Sequence, residues 1–264
     1  MLKRELANTG LMVSPLGLGT VKLGRNKGVK YPTSFSLPND QEALQLLHQA
    51  RELGINFIDT APAYGTSEER LGHLLKGQRN DWVICSKVGE EFDNSSGESS
   101  YIFTPEHLKF SVERSLKRLN TDFIDMLLVH SDGNDVEIIQ RYGILQALEE
   151  LKAQGKIRAT GMSTKTVEGG LLALAQSDCA MVTYNLSHQT EEAVLDYAEL
   201  NNKGILLKKA LASGHICAKN SQDPIQASFD FIFAHKGVTS AIIGTINPKH
   251  LKANVAAAEK AINQ

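Results

Sequence analysis

The chain has 264 residues, 42% of them apolar and 22% charged, a balance ordinary for a soluble globular protein with a sizeable core. A net charge of −2 gives no electrostatic reason to expect nucleic acid or an anionic membrane surface as a partner. No apolar run approaches the roughly 20 residues that span a bilayer, and the N-terminus lacks a signal-peptide pattern. Cys85, Cys179 and Cys217 share no metal-like spacing and suggest no disulfide framework, so a reduced cytoplasm and a metal-free protein are expected.

In chain order, residues 2–13, with Asn8-Thr9-Gly10 between two short runs, predict a β-hairpin. Beyond it, strand-like and helix-like segments alternate. Strands are expected to begin near Pro15, Asn56, Trp82, Phe123, Ile157, Ala180, Gly204 and Thr239. Helices are expected at about 40–53, 67–76, 105–119, 136–154, 166–177, 191–201, 223–235 and 248–262. Such alternation indicates a parallel α/β sheet, and eight strand–helix pairs favour closure. The length is close to the roughly 250 residues typical of one (β/α)₈ barrel. The predicted fold is therefore an α/β (β/α)₈ TIM barrel over residues 1–264 as one domain, with the hairpin capping the barrel floor. Gly54, Gly155 and Gly204 follow helical patterns, where a left-handed cap needs glycine. Thr66-Ser67-Glu68-Glu69 reads as a capping box. The polar segment 24–39 and the Ser/Gly/Asn-rich stretch 91–101 read as surface loops.

Asp59, Tyr64, Lys87 and His130 each lie just past an apolar strand-like run. In a barrel of parallel strands those ends share one rim, and the rim holds the active site. A phenol has an ordinary pKa of about 10, too high for an efficient acid at neutral pH. A neighbouring ammonium stabilises phenolate, so Lys87 is the expected tuner of Tyr64, with Asp59 keeping Lys87 protonated. His130 is placed to orient a carbonyl oxygen. Hydride must then come from a cofactor, because no side chain supplies it. Taken singly, each residue is more often a cap, a core-edge aromatic or a loop group; their convergence carries the catalytic reading.

The segment Gly54-Ile55-Asn56-Phe57-Ile58-Asp59-Thr60-Ala61-Pro62-Ala63-Tyr64-Gly65, continued by Glu68 and Gly72, resembles the first signature of the aldo-keto reductase family. Leu128-Val129-His130 resembles the strand carrying that family's histidine. Gly155-Lys156-Ile157-Arg158-Ala159-Thr160-Gly161-Met162-Ser163 and the segment from Ile243-Gly244-Thr245 to Asn254 resemble its later motifs. The likeness covers essentially the whole chain. It implies a TIM barrel that reduces an aldehyde or ketone with NAD(P)H, Tyr64 acting as general acid and a small carbonyl compound as substrate.

The same resemblance implies a cofactor set. Ser163 matches the serine that holds the nicotinamide amide, while Thr164 stands where asparagine is usual and Met181 where glutamine is frequent. Lys208 falls near the position of a stacking aromatic. Leu211, Ala212 and Ser213 are expected at the pyrophosphate. At the adenosine end, Thr245 and Asn254 align with the closing segment, and Gly244 and His250 occupy the usual phosphate-binding places beside Lys249. The expectation is NADP(H) ahead of NAD(H). The alternative function is a nicotinamide-nucleotide-sensing protein with little turnover, which Met181 and Lys208 keep open.

Other signals are weaker. Gly17-Leu18-Gly19 lacks the third glycine of a dinucleotide fingerprint and reads as close packing in the first strand. Lys208-Lys209 could mark a Schiff-base lysine, but that reading ignores Asp59 and Tyr64. Cys85 reads as core, and Cys179 and Cys217 lack an activating partner. With the sequence ending soon after the last predicted helix, an open pocket of weak selectivity is expected. Its walls would be 24–39, 89–103 and 131–136, including Tyr31, Phe35, Phe92, Tyr101 and Phe103. The outward helix faces do not reveal an oligomeric state.

Overall fold

Polar turn residues at 8–10 return the chain onto itself, so β1 (Arg4–Glu5) pairs antiparallel with β2 (Met12–Val13). This is a computed structural model and describes residues 1–29, 31–214 and 223–264; Cys217 lies outside them. The following strands are β3 (Leu16–Gly19), β4 (Phe57–Asp59), β5 (Val83–Val88), β6 (Glu90–Phe92), β7 (Ser99–Tyr101) and β8 (Ile124–His130). They continue with β9 (Ile157–Ser163), β10 (Cys179–Thr183), β11 (Gly204–Lys208) and β12 (Ser240–Ile243). Among the described residues, β3, β4, β5, β8, β9, β10, β11 and β12 close into a parallel barrel. The helices between them are α1 (Val21–Gly24), α2 (Asp40–Glu52), α3 (Ser67–Leu74), α4 (Pro105–Leu119) and α5 (Asp135–Tyr142). They continue as α6 (Ile144–Ala153), α7 (Val167–Gln176), α8 (Glu192–Leu200), α9 (Pro224–Ala234) and α10 (Pro248–Ile262). The expected TIM barrel is the fold.

Side chains alternate along a strand, and that period divides the core in two. Leu16, Leu18, Ile84, Leu127, Val129, Met162, Val182 and Leu207 point outward into the layer beneath the helices. Phe57, Cys85, Met126, Leu128, Ala159, Cys179, Met181 and Leu206 fill the barrel interior. Leu6, Leu11 and Val13 of the hairpin join the interior cluster, so the hairpin does plug the floor. Gly204 permits this approach, since a Cβ there would lie 2.4 Å from Leu6 Cδ1. Gly17 is similarly tight: a Cβ would meet Phe57 Cδ1 at 2.5 Å, in line with the close-packing reading.

Several local expectations are corrected. The helix expected at 136–154 is two helices, because Gly143 takes a left-handed conformation (φ 59) between them. Gly54 (φ 84) and Gly155 (φ 74) do serve as left-handed caps. Gly204 does not; it opens β11, and Asn202 (φ 50) takes the left-handed turn. Thr66 makes no side-chain cap, since Ser67 and Glu68 turn inward to Thr20 and Ser86. The reciprocal capping box is instead Asn39 with Glu42. The stretch expected as a loop at 91–101 contributes to a hairpin of β6 and β7. None of the described helices is long and apolar enough to cross a membrane.

Candidate active site

The two-residue strand period carries Asp59, Lys87, His130, Ser163 and Lys208 inward above the apolar interior, at or near the C-terminal ends of β4, β5, β8, β9 and β11. Tyr64 reaches the same place from a single 3₁₀ turn, Pro62–Tyr64. Gly65 (φ 64) closes that turn, and a Cβ on it would sit 2.2 Å from Gly24 O, so no other residue fits.

Lys87 Nζ donates to Asp59 Oδ1 at 2.5 Å, to Thr60 O at 2.9 Å and to Tyr64 Oη at 3.1 Å. Its three protons are thus all engaged. The Tyr64 hydroxyl donates to Asp59 Oδ2 at 3.3 Å. Burial works against the Lys87 charge, but Asp59 together with Tyr64 and Cys85 outweighs it and raises the ammonium's pKa above the ordinary lysine value. For Tyr64, burial pushes the pKa up, Asp59 adds to the rise, and Lys87 offsets only part of it. The expected depression of the phenol is therefore reversed: Asp59 and burial prevail over the ammonium. Tyr64 stays firmly protonated.

His130 Nδ1 lies 2.9 Å from Glu90 Oε2, close enough for an ion pair but without hydrogen-bond alignment. Burial pushes His130 below the ordinary imidazole value; Glu90 opposes this, and Lys87 and Lys208 reinforce it. Ser99 donates to Glu90 Oε1 at 2.7 Å, and Arg25 Nη1 lies 3.7 Å from the same oxygen.

These groups open onto a pocket of about 660 Å³, within the usual range for a ligand site. Asp59, Tyr64, Lys87, His130, Ser163, Met181 and Lys208 line it, together with Leu211, Ser213, Gly244, Thr245, His250 and Asn254. Thr164 and Lys249 do not. Thr164 is buried behind Ser163 with its hydroxyl unpartnered, and Lys249 is exposed at the start of α10. Ala212 also lies outside the wall. Of the expected aromatic walls, only Tyr31 lines the pocket. Phe35 packs edge-on to Tyr31, Phe92 lies under Arg25, and Tyr101 stacks on Phe103.

The residues fit a dinucleotide better at one end than at the other. Lys209 (φ 56), Ala212 (φ 47) and Ser213 (φ 55) hold left-handed conformations beyond β11, a strain that clusters at ligand sites. Gly244 leaves space at the end of β12, where a Cβ would come no closer than 3.4 Å to Tyr31 Oη. At the first turn of α10, Asn247 Oδ1 accepts from the backbone N–H groups of Lys249 and His250, so side chains must meet any phosphate there. At the other end, Lys208 Nζ donates to Ser163 Oγ at 3.0 Å and to Thr164 O at 2.5 Å. Ser163 keeps its own proton free to donate to an incoming amide.

Glu90 and Arg25 were not anticipated. The available signal was a carboxylate three residues past Lys87, just after Gly89.

The family model described as "Aldo/keto reductase family" matches residues 15–216. A crystal structure of a candidate aldo-keto reductase from Pseudomonas aeruginosa superposes with a TM-score of 0.90 at 58% identity, covering 99% of this chain and 95% of that one. "Uncharacterized oxidoreductase YqkF" of Bacillus subtilis is 34% identical over 62% of this chain and 49% of its own length. "Aldo-keto reductase YhdN" of the same organism is 32% identical over 83% of this chain and 65% of its own. The chain thus spans about half to two-thirds of these curated relatives.

Proposed function

The chain belongs to the aldo/keto reductase family, and from that membership we propose an oxidoreductase that reduces aldehydes or ketones to alcohols with NADP(H), in preference to NAD(H). The observation that carries the reading is the cluster in which Lys87 bonds both Asp59 and Tyr64 at the pocket wall. When bound, NAD(P)H supplies the hydride. Tyr64 is the general acid: its hydroxyl donates to the carbonyl oxygen as negative charge builds there. Because burial keeps the phenol weakly acidic, Tyr64 parts with its proton only to a strongly basic, alkoxide-like oxygen. Lys87 then stabilises the phenolate left behind. Asp59 holds Lys87 charged and in place. His130 shapes the opposite side of the oxygen's site.

Ser163 and Lys208 would hold the nicotinamide end, with Met181 an apolar wall beside them; Leu211 and Ser213 would lie at the pyrophosphate, and Gly244, Thr245, His250 and Asn254 at the adenosine end. The preference for NADP(H) is supported by residues 240–254, which place His250 at the pocket wall and contain no Asp or Glu. A carboxylate there would favour a free ribose 2′-hydroxyl. Family membership favours turnover over the nucleotide-sensing role.

NADPH and NADH oxidation across an aldehyde and ketone panel tests the proposal. Wild type should turn over, faster with NADPH, and Tyr64→Phe should lose at least about 100-fold. Tight NADPH binding with equal, background turnover in both proteins would overturn it.

A further inference from the structure

We propose that Glu90 is a positioning residue that keeps the proton of neutral His130 on Nδ1, so that Nε2 meets the substrate as a hydrogen-bond acceptor until the imidazolium forms. The proposal rests on the reading of His130 given above and specifies which proton it carries.

Glu90 sits at the start of the β6–β7 hairpin, registered opposite Tyr101. Its Oε2 is 2.9 Å from His130 Nδ1. The other oxygen accepts from Ser99 Oγ at 2.7 Å and faces Arg25. Arg25 is itself fixed, donating to Ala63 O and Lys27 O, both at 2.9 Å, with its guanidinium carbon 3.7 Å from the Phe92 ring centroid. Both carboxylate oxygens are therefore held in place. Burial opposes ionisation of Glu90, but its neighbours, His130 foremost, hold it down to about 2. The contact is not aligned as a hydrogen bond, but an ionised carboxylate only accepts. At 2.9 Å it repels a bare nitrogen lone pair, so it favours hydrogen on Nδ1. Nδ1 is enclosed and has no other partner. The ring edge that His130 shows the pocket is thus the one bearing Nε2.

The other charged or titratable groups facing His130 are Lys87 from β5, Lys208 from β11 and Tyr64 from the 3₁₀ turn, whose ring centroid is 6.3 Å away. Asp59 is spent on Lys87. Burial foremost, and then the two lysines, disfavour the imidazolium while Glu90 favours it, and the net lowering leaves the neutral ring predominant as pH rises. In that form Nε2 can accept from an alcohol hydroxyl but cannot donate to a carbonyl. On protonation it becomes a donor backed by Glu90. Carbonyl binding thus gains a second donor at low pH, whereas alcohol binding is favoured above the His130 midpoint.

The test is ¹⁵N–¹H NMR of the full, cofactor-free chain with ¹⁵N-labelled histidine, the His130 signals being assigned from their loss in His130→Gln. Above its midpoint, wild-type His130 should show a protonated Nδ1 and a bare Nε2. In Glu90→Leu the Nε2–H tautomer should appear and the protonation constant should fall about tenfold. A Glu90→Gln variant guards against misfolding: its amide oxygen can keep the tautomer, while the lost charge should still lower the protonation constant. A proton on Nε2 in neutral wild type, or a protonation constant unchanged in both variants, would overturn the proposal. Failure of the catalytic reading would show separately, as undiminished turnover in Tyr64→Phe.

Discussion

Lys87 Nζ lies 2.5 Å from Asp59 Oδ1 with the two side chains only 1% and 5% exposed, so a full ion pair is sealed at the base of the pocket. Breaking one partner of such a pair leaves an uncompensated buried charge, at a cost of about 3–5 kcal/mol. Asp59→Asn should therefore lower stability by about that amount in urea denaturation, as well as reduce turnover. The sign of the pH dependence follows from the raised Lys87 pKa. Its stabilisation is complete below the unfolded value near 10.4 and is lost as pH rises through the folded one. In Asp59→Asn, burial without the carboxylate lowers the Lys87 pKa instead, so the variant regains stability as Lys87 loses its proton. The stability gap between the two proteins should be widest near neutral pH and narrow as pH rises toward about 10.4. A gap that widens with rising pH over that range would contradict this assignment.

A second prediction concerns the floor. Leu6 is fully buried among interior residues and abuts Gly204. Leu6→Ala removes interior packing that the strands cannot collapse to refill, a loss of about 2–5 kcal/mol. Because Leu6 lies at the opposite end of the barrel from the pocket, affinity for NADPH should stay within about twofold under folding conditions, since distant sites act independently. The measurement pairs a denaturation midpoint with a fluorescence titration, and a large affinity loss would show that the two ends are coupled.

The barrel and the four rim residues were legible because they depend on local pattern. Apolar runs such as Met126–Val129 announce strands, and residues at their ends share a rim whatever the helices do. What escaped depends on distant chain segments. Glu90 meets His130 only because the 91–101 stretch folds back as a hairpin, and no periodicity reveals that pairing. The Tyr64 pKa was misjudged because the sequence shows an ammonium neighbour but not complete enclosure beside a carboxylate. Thr66 looked like a cap until Ser67 and Glu68 found tertiary partners. Thr164 and Lys249 aligned with cofactor positions, yet one faces the core and the other solvent.

Thr164 supplies a third prediction. Its hydroxyl is buried with no partner, and an unsatisfied polar group costs about 1–3 kcal/mol. Thr164→Val keeps the shape and removes the group. Its backbone carbonyl, which accepts from Lys208, is untouched. The variant should therefore be at least as stable as wild type, by about 1 kcal/mol in the favourable case, with an unchanged NADPH dissociation constant. A marked loss of affinity would place the hydroxyl in the cofactor site after all.

Lys208 reverses the sign found for Lys87. Burial depresses its pKa to about 8; Glu191 and Asp135 oppose the shift, and Lys209 and Lys165 add to it. Between about pH 8 and the ordinary lysine value near 10.4, the unfolded chain holds a proton that the folded chain has released. Stability should thus rise with pH across that window, by on the order of 2–3 kcal/mol from this group. Urea denaturation at the two ends of the window, in wild type and Lys208→Met, isolates the contribution, and the variant should lack it. Since Lys208 lines the pocket beside Ser163, its ammonium should also repel the cationic ring of oxidised nicotinamide. NADP⁺ should then bind wild type more tightly as pH passes about 8, while Lys208→Met shows no such change. Equal pH dependence in the two proteins would remove Lys208 from the nicotinamide end of the pocket.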